Sequence, residues 1–123
     1  MKKIRAAVVG YGNIGRFTVE ALEAAPDFEI AGIVRRNGAA NKPAELAAYK
    51  VVSNITELKN VDVAILATPT RSCEEYARQI LALGINTVDS FDIHTSILDY
   101  RNSLMPICKE HGTVAVIAAG WDP

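Results

Sequence analysis

A glycine-rich segment near the start of the chain constrains the fold more than any other feature. The run Gly-Tyr-Gly-Asn-Ile-Gly begins at Gly10, directly after an apolar run at 4–9 and at the start of an amphipathic segment at 13–25. Between a strand and a helix, Gly10 allows a tight turn, Gly12 leaves the backbone open to a phosphate, and Gly15 lets the helix pack closely. The unpaired N–H groups and the positive end of such a helix bind phosphates. The motif therefore predicts a dinucleotide site, and the alternative is a glycine turn without a ligand.

Strands and helices alternate along the rest of the chain. Short apolar runs predict strands at 4–9, 29–34, 50–52, 61–67, 86–88 and 114–117, and helical periodicity predicts helices at 13–25, 43–48, 72–84 and 97–110. Ser72, with Glu75 three residues later, matches a capping box, and Pro106 predicts a kink or a break in the last helix. Such alternation is typical of a parallel sheet with right-handed crossovers. The predicted fold class is α/β, a Rossmann-type doubly wound parallel sheet of about six strands.

The composition excludes several classes of protein. The 123 residues are 50% hydrophobic and carry a formal net charge of −1, which argues against a nucleic-acid partner and against disorder. The length suits one domain, residues 1–123. No apolar run approaches the ~20 residues of a membrane span and no signal peptide begins the chain, so we expect no membrane association and a cytoplasmic location. Cys73 and Cys108 are isolated, which indicates neither a disulfide framework nor a metal site.

The end of the second predicted strand indicates which nucleotide binds. About 20 residues past the glycines, an NAD enzyme carries Asp or Glu for the ribose hydroxyls. This chain has Arg35, Arg36 and Asn37 there. A carboxylate repels a 2′-phosphate, whereas guanidinium groups bind one. The missing acid predicts NADP, and the alternative is a pair of solvated loop arginines.

Three later loops follow strand ends at the same edge of the predicted sheet. Residues 67–70 (Ala-Thr-Pro-Thr) would lie against the nicotinamide ribose or form a plain turn. Residues 89–94 (Asp-Ser-Phe-Asp-Ile-His) suggest a polar active-site rim, or a loop in which Asp92 or Thr95 caps the next helix. Residues 121–122 (Trp-Asp) would be the second part of that rim, or a chain end without fixed structure.

Three other side chains are assigned structural roles. Cys73 lies on the apolar face of its helix, which predicts a core position. His94 is predicted to be a hydrogen-bonded structural histidine rather than a base. His111 falls near a helix C-terminus, where it interacts favourably with the helix dipole.

Four segments together resemble the meso-diaminopimelate dehydrogenase family. They are residues 8–16 (Val-Val-Gly-Tyr-Gly-Asn-Ile-Gly-Arg), the arginine pair, residues 89–92 (Asp-Ser-Phe-Asp) and residues 120–123 (Gly-Trp-Asp-Pro). The resemblance runs the whole length of the chain. It implies NADP-dependent oxidative deamination of the D-centre of meso-2,6-diaminopimelate to L-2-amino-6-oxopimelate and ammonia, in lysine and cell-wall biosynthesis. It also implies a homodimer with a second substrate and dimerisation domain, so this chain would be a fragment that is inactive alone.

The motif and the resemblance together assign the site residues. Those expected to hold NADP are Gly10, Tyr11, Gly12, Asn13, Ile14, Gly15, Arg35, Arg36, Asn37, Ala67, Thr68, Pro69, Thr70, Ser90, Phe91, Asp92, Ala119, Gly120, Trp121 and Asp122. Asp92, Trp121 and Asp122 would also contact the substrate. The two carboxylates are the catalytic candidates, because they can orient the substrate ammonium and accept protons. The family often has Ser-Arg-Arg where this chain has Arg-Arg-Asn, which leaves open which arginine faces the phosphate.

Two other functions are weighed against this one. A sugar-oxidising dehydrogenase of the Gfo/Idh/MocA type shares the N-terminal fold, but that family typically has a catalytic lysine in a Glu-Lys-Pro element after the fifth strand. No lysine occurs between Asn60 and Pro106, which argues against it. A nucleotide-sensing module without catalysis would need the glycine loop but no acidic rim, and nothing in the sequence indicates its partner domain.

Overall fold

The computed structural model describes residues 3–38, 40, 42–89 and 97–117. The described strands are β1 (Ile4–Val9), β2 (Phe28–Val34), β3 (Val51–Val52), β4 (Val63–Leu66), β5 (Asn86–Asp89) and β6 (Ala115–Val116). The described helices are α1 (Asn13–Ala24), α2 (Thr70–Ala82) and α3 (Ile97–His111), with short 3₁₀ turns at Ala44–Leu46 and Ile55–Glu57. All strand pairs are parallel, in the order β3-β2-β1-β4-β5-β6. The predicted Rossmann-type doubly wound sheet is confirmed.

The strand order places a switch point between β1 and β4. Successive strands run outward from β1 in one direction and from β4 in the other, and Val9 pairs with Leu66 at the carboxyl ends. The loops after these two strands therefore diverge toward opposite faces of the sheet. Ligands of open α/β sheets bind in the crevice that this divergence leaves.

Apolar side chains form a core on each face of the sheet. One cluster joins α2 and α3 to the sheet and includes the buried residues Val9, Leu66, Leu81 and Leu104. The other joins α1 and the 3₁₀ turn Ala44–Leu46 to the sheet, through Val8, Val19, Ile33 and Leu46 among others. Strands covered on both faces read as nearly continuous apolar runs, which is why the sequence pattern located β1 correctly.

One predicted detail at a helix end is wrong. Helix α2 begins at Thr70 with Pro69 as its N-cap, so Ser72 is the third helical residue and does not cap it. The described structure has a capping box elsewhere, between Asn54 and Glu57 around the second 3₁₀ turn. The hydroxyl and carboxylate pattern of a capping box is local, and Pro69, three residues before Ser72, marks the start of the helix instead.

Pro106 does not break the last helix. Helix α3 runs through it, and the structure therefore contradicts the predicted break. Proline removes the hydrogen bond to the carbonyl four residues earlier, on Asn102. Both residues are exposed, so water can satisfy that carbonyl, while Tyr100 and Leu104 anchor the opposite side of the helix in the core.

Candidate functional site

The glycine loop joins the ends of three strands. Gly10 has a φ of +95°, and a Cβ built on it would lie 2.7 Å from the Ala67 carbonyl oxygen. Its N–H donates to the Val34 carbonyl at 2.8 Å, and the Ala67 N–H donates to the Val9 carbonyl at 2.8 Å. The loops after β1, β2 and β4 are therefore packed backbone to backbone, which only glycine at position 10 permits.

The other two motif glycines differ in what surrounds them. A Cβ on Gly15 would clash with the Gly10 carbonyl oxygen, so the absent side chain lets α1 approach the loop closely. No atom lies within 4 Å of the position a Cβ would take on Gly12, which is the N-cap of α1. Gly15 therefore has a packing role, and Gly12 leaves an open path to the helix N-terminus. A pyrophosphate fits such a cradle, because the first N–H groups of a helix have no intrahelical partners.

A cleft of about 600 Å³ opens at this switch point. It is lined by Gly10, Tyr11, Gly12, Ile14, Val34, Arg35, Arg36, Asn37, Ala67, Thr68, Pro69, Ser72 and Tyr76. Among the residues that it describes, the structure thus gathers most of those that the sequence assigned to the dinucleotide around one space. The volume lies within the range of small-molecule sites.

Sequence reasoning missed Val34, Ser72 and Tyr76 as cleft residues. Ser72 and Tyr76 are one helical turn apart on α2, at the end that faces the switch point. Their i, i+4 spacing on the first turns of a helix was the available signal, but the capping-box pattern favoured a capping role for Ser72. The hydroxyl of Thr68 is buried and has no hydrogen-bond partner among the described residues. It is a polar group available beside the glycine loop.

Several predicted site residues cannot be located at this cleft. Gly15 lies behind the loop and not on the cleft wall. Asn13 and Thr70 are the first residues of α1 and α2, and their side chains lie outside what the structure describes. Ser90, Phe91, Asp92, His94, Ala119, Gly120, Trp121 and Asp122 are also outside the described residues. The proposed substrate rim therefore stays a prediction.

The two arginines after β2 have different environments. Arg35 is half-buried, and its guanidinium Nη1 donates to the carbonyls of Gly38 and Ala40, each at 3.3 Å. Arg36 and Asn37 are exposed and line the cleft. The described cleft wall contains no Asp or Glu. Its electrostatic character is therefore positive where an anion would reach the end of β2.

Tyr11 of the glycine loop is tied to the segment after β2. Its hydroxyl donates to the Glu45 carboxylate at 3.1 Å. Burial, followed by this hydrogen bond, raises the pKa of the Tyr11 hydroxyl. The ring therefore stays neutral and oriented at the mouth of the cleft.

Asp89 lies in the core and not on the predicted polar rim. It is the last residue of β5 and is 3% exposed, and the hydroxyl of Tyr100 on α3 donates to its carboxylate. The Cys73 thiol on α2 lies 3.5 Å from the same hydroxyl, which confirms the predicted core position of Cys73. Burial, followed by the hydrogen bond to Asp89, raises the pKa of Tyr100, and burial raises the pKa of Cys73 to about 12.

Comparison with known proteins identifies the family. Residues 4–89 match the Gfo/Idh/MocA oxidoreductase family, described as an NAD-binding Rossmann fold. The chain belongs to this oxidoreductase family. It is also 71% identical over 123 residues to a meso-diaminopimelate D-dehydrogenase of Bacteroides fragilis, covering all of this chain and 41% of that protein. The predicted resemblance to that group of dehydrogenases is confirmed.

Two solved structures of this kind agree with the fold. The DAP dehydrogenase of C. glutamicum in complex with DAP has a TM-score of 0.82 at 30% identity, covering 100% of this chain and 38% of that one. An engineered D-amino acid dehydrogenase bound to NADP+ has a TM-score of 0.81 at 30% identity, covering 99% and 38%. A nicotinamide dinucleotide is therefore the cofactor class that this fold accommodates. The chain spans less than half the length of these relatives.

Membership of the Gfo/Idh/MocA family corrects one sequence argument. The missing lysine had argued against that family, yet residues 4–89 belong to it. The match ends with β5, whereas the Glu-Lys-Pro element would follow that strand. The match therefore covers the segment from β1 to β5, which contains the glycine loop, and does not extend to the position where the lysine would lie. The missing lysine is thus no argument against membership of the family.

Two further features of the described residues bear on binding partners. No described helix combines the length and the apolar character that crossing a membrane requires. No group of three His, Cys, Asp or Glu side chains among the described residues is arranged to hold a metal ion.

Proposed function

We propose that residues 1–123 form the NADP-binding domain of a meso-diaminopimelate dehydrogenase. The reaction is oxidative deamination of the D-centre of meso-2,6-diaminopimelate to L-2-amino-6-oxopimelate and ammonia. The observation that carries this proposal is the 71% identity over the whole chain to a curated enzyme of that name, combined with the arginine-lined cleft. Because the chain spans 41% of that relative, we assign turnover to a longer, homodimeric protein and expect none from this domain alone.

The choice of NADP over NAD rests on the charge at the end of β2. Arg36 and Asn37 line the cleft there. The described wall has no carboxylate that could accept hydrogen bonds from the hydroxyls of an unphosphorylated ribose. A 2′-phosphate placed beside a guanidinium gains a charge-assisted hydrogen bond that NAD cannot make. The glycine loop and the N-terminus of α1 would hold the pyrophosphate, and residues 67–70 would line the middle of the cofactor.

The protein's part in the chemistry is to bind and orient the reactants. When bound, NADP supplies the hydride acceptor for the substrate α-carbon. Ser90, Phe91, Ala119, Gly120 and Trp121 are proposed to approach its nicotinamide end. Asp92 and Asp122 are proposed to hold the D-amino group, orient the ammonium and accept a proton from it.

The cofactor assignment is tested by Gly12→Ala. In the free protein a methyl group here meets no atom, and a φ of −94° suits alanine, so the free energy of unfolding should change by less than about 1 kcal/mol. The methyl would occupy the path of the pyrophosphate, so NADPH affinity should fall by about tenfold or more. Isothermal titration calorimetry and urea unfolding measure the two quantities.

Gly112→Ala is the matched control. Gly112 has a φ of +64° at the end of α3 and does not line the cleft. This variant should lose stability and keep its NADPH affinity, the reverse of Gly12→Ala. An unchanged NADPH affinity in Gly12→Ala would contradict the proposed phosphate site.

The substrate assignment is tested in the longer protein by Asp92→Asn and Asp122→Asn. Each should lower kcat/KM for meso-diaminopimelate by about 10²-fold or more, the scale of a lost acid–base contact. NADP affinity should change by less than about 1 kcal/mol, because neither carboxylate is assigned to a phosphate. If Asp92 only caps a helix, Asp92→Asn will be silent, since Asn caps as well as Asp. Unchanged steady-state kinetics in both variants would remove the case for this substrate site.

A further inference from the structure

Tyr11 separates the dinucleotide cleft from a second cavity. Among the described residues, it alone lines both the cleft of about 600 Å³ at the switch point and a cavity of about 750 Å³ between α1 and the segment 45–49. The described wall of this second cavity carries three carboxylates and one guanidinium, those of Glu20, Glu23, Glu45 and Arg16. Tyr11 therefore stands between a cleft suited to an anion and a cavity of net negative charge.

A hydrogen bond to Glu45 fixes the side chain of Tyr11 in this place. The Tyr11 hydroxyl donates to the Glu45 carboxylate at 3.1 Å. Glu45 lies on the 3₁₀ turn Ala44–Leu46, and the next side chain, Leu46, is fully buried in the core cluster that includes Val19 of α1. The acceptor is therefore carried by a turn that the core anchors, although the Glu45 side chain itself is exposed.

The ring of Tyr11 depends on this hydrogen bond for its orientation. It is only partly buried, and it packs against the edge of the same core cluster. Glu45 is the hydrogen-bond partner of its hydroxyl among the described residues. Without that partner the ring can adopt other rotamers, and a ligand that packs on it would have to order it on binding, which costs affinity.

We propose that Glu45 is a positioning residue for dinucleotide binding, which holds the Tyr11 ring as a wall between the cleft and the acidic cavity. The fixed ring offers the dinucleotide a preformed surface and keeps its phosphates apart from the carboxylates beside α1. The proposal rests on the proposed dinucleotide-binding function. It applies to NADP and NAD alike, because the glycine loop that carries Tyr11 is assigned to the pyrophosphate that both contain.

The charge of Glu45 and its hydrogen bond affect an anionic ligand in opposite directions. Loss of the negative charge alone would favour the binding of a nucleotide, whereas loss of the hydrogen bond frees the ring and opposes binding. Glu45→Ala removes both, and it should weaken NADPH and NADH binding by about threefold to tenfold. Glu45→Gln removes the charge but keeps a carbonyl acceptor for the Tyr11 hydroxyl, so its affinities should equal or exceed those of the wild type. Isothermal titration calorimetry on the chain measures all of these affinities.

Tyr11→Phe breaks the same hydrogen bond from its other end and leaves the ring in the protein. It should weaken both nucleotides by about the same factor as Glu45→Ala, and the double variant should be less than about twofold weaker than either single variant. Tyr49→Phe is the matched control. The Tyr49 hydroxyl donates to Glu23 of α1, so it also joins the segment after β2 to this helix, but neither residue lines the cleft. Tyr49→Phe should therefore keep both affinities within about twofold of the wild type.

Two results would attribute the effect to something other than the Tyr11 ring and would overturn the proposal. Equal weakening in Tyr49→Phe would show that attachment of the whole segment to α1 matters. Weakening in Glu45→Gln as large as in Glu45→Ala would show that the charge matters and the hydrogen bond does not.

The ligand-free chain and the wild-type affinities keep this inference separate from the proposed function. Without nucleotide, the ring NMR signals of Tyr11 should shift in Glu45→Ala and stay in place in Tyr49→Phe. Unchanged Tyr11 signals in Glu45→Ala, or unchanged affinities in that variant, would overturn the positioning role while leaving the cofactor assignment standing. A wild-type chain that binds neither NADPH nor NADH would instead contradict the proposed function, and this inference with it.

Discussion

The two halves of the sheet build the candidate site by different means. In the half made of β1, α1, β2 and β3, the backbone shapes the cleft. Glycines allow the loops to approach closely, and backbone hydrogen bonds hold the loops together. In the half made of β4, α2, β5, α3 and β6, polar side chains are buried beneath the strand ends, with Tyr100 bonded to Asp89 and close to Cys73. We therefore expect substitutions in the first half to change nucleotide binding, and substitutions in this buried cluster to change stability.

The largest effect is expected where the two halves touch, at Gly10. Gly10→Ala combines a φ of +95° with a Cβ only 2.7 Å from the Ala67 carbonyl oxygen. Strain and backbone overlap together should lower the free energy of unfolding by about 3 kcal/mol or more. Gly84→Ala is the control, since Gly84 also has a positive φ, of +83°, but no atom within 4 Å of a new Cβ. It should lose about 1–2 kcal/mol. Equal losses in urea unfolding would show that the contact between the loops after β1 and β4 contributes nothing.

An intermediate effect is expected for removal of one tyrosine hydroxyl from each half. Tyr100→Phe deprives the buried Asp89 carboxylate of a donor and should cost about 1.5–3 kcal/mol, the range for hydrogen bonds to charged groups. Tyr49→Phe removes the hydroxyl that donates to Glu23 at 2.5 Å on the surface, and should cost about 0.5 kcal/mol. Urea unfolding at neutral pH measures both. A larger loss in Tyr49→Phe would reverse the proposed contrast.

A pH-dependent effect, confined to alkaline pH, is expected at Cys73. Burial raises the pKa of this thiol from 9.0 to about 12 in the folded protein, so the unfolded chain loses the proton first as the pH rises. Cys73 therefore contributes stability that is complete below pH 9 and is lost as the pH approaches 12. Cys73→Ala should make the fall of the unfolding free energy over that interval less steep. Identical slopes in the wild type and in Cys73→Ala, measured by urea unfolding at several pH values, would contradict this contribution of the buried thiol.

Local pattern predicted the first half of the molecule well. The apolar run at 4–9, the glycine spacing and the helix that follows are contiguous, so the strand, the turn and the helix N-terminus can be read from neighbouring residues. The arginines after β2 were identified in the same way, by their distance from the glycines. The hydrogen bonds of the Arg35 side chain could not be predicted in this way, because the carbonyls of Gly38 and Ala40 come within its reach only when the turn has folded.

The errors fall where distant residues decide the outcome. Asp89 was assigned to a polar rim because it follows an apolar strand. In the structure it is buried, and the hydroxyl of Tyr100, eleven residues away on α3, donates a hydrogen bond to its carboxylate. Ser72 was assigned to a cap, and the tertiary structure places it on the cleft wall instead. The predicted rim residues beyond Asp89, including Asp92 and Asp122, lie outside the described residues and stay proposals.

The sequence by itself determined the strand–helix alternation, the phosphate-binding turn and the type of charge at the end of β2, because these depend on periodicity and on spacing within a few residues. The tertiary structure decided which polar side chains face the cleft and which are buried. Burial depends on how α2 and α3 pack on the sheet, and that packing brings together Cys73, Asp89 and Tyr100 from three separate elements. The apolar face of α2 predicts that Cys73 is buried, but no local pattern encodes its contact with Asp89 and Tyr100, since each of those two polar residues is also compatible with an exposed position.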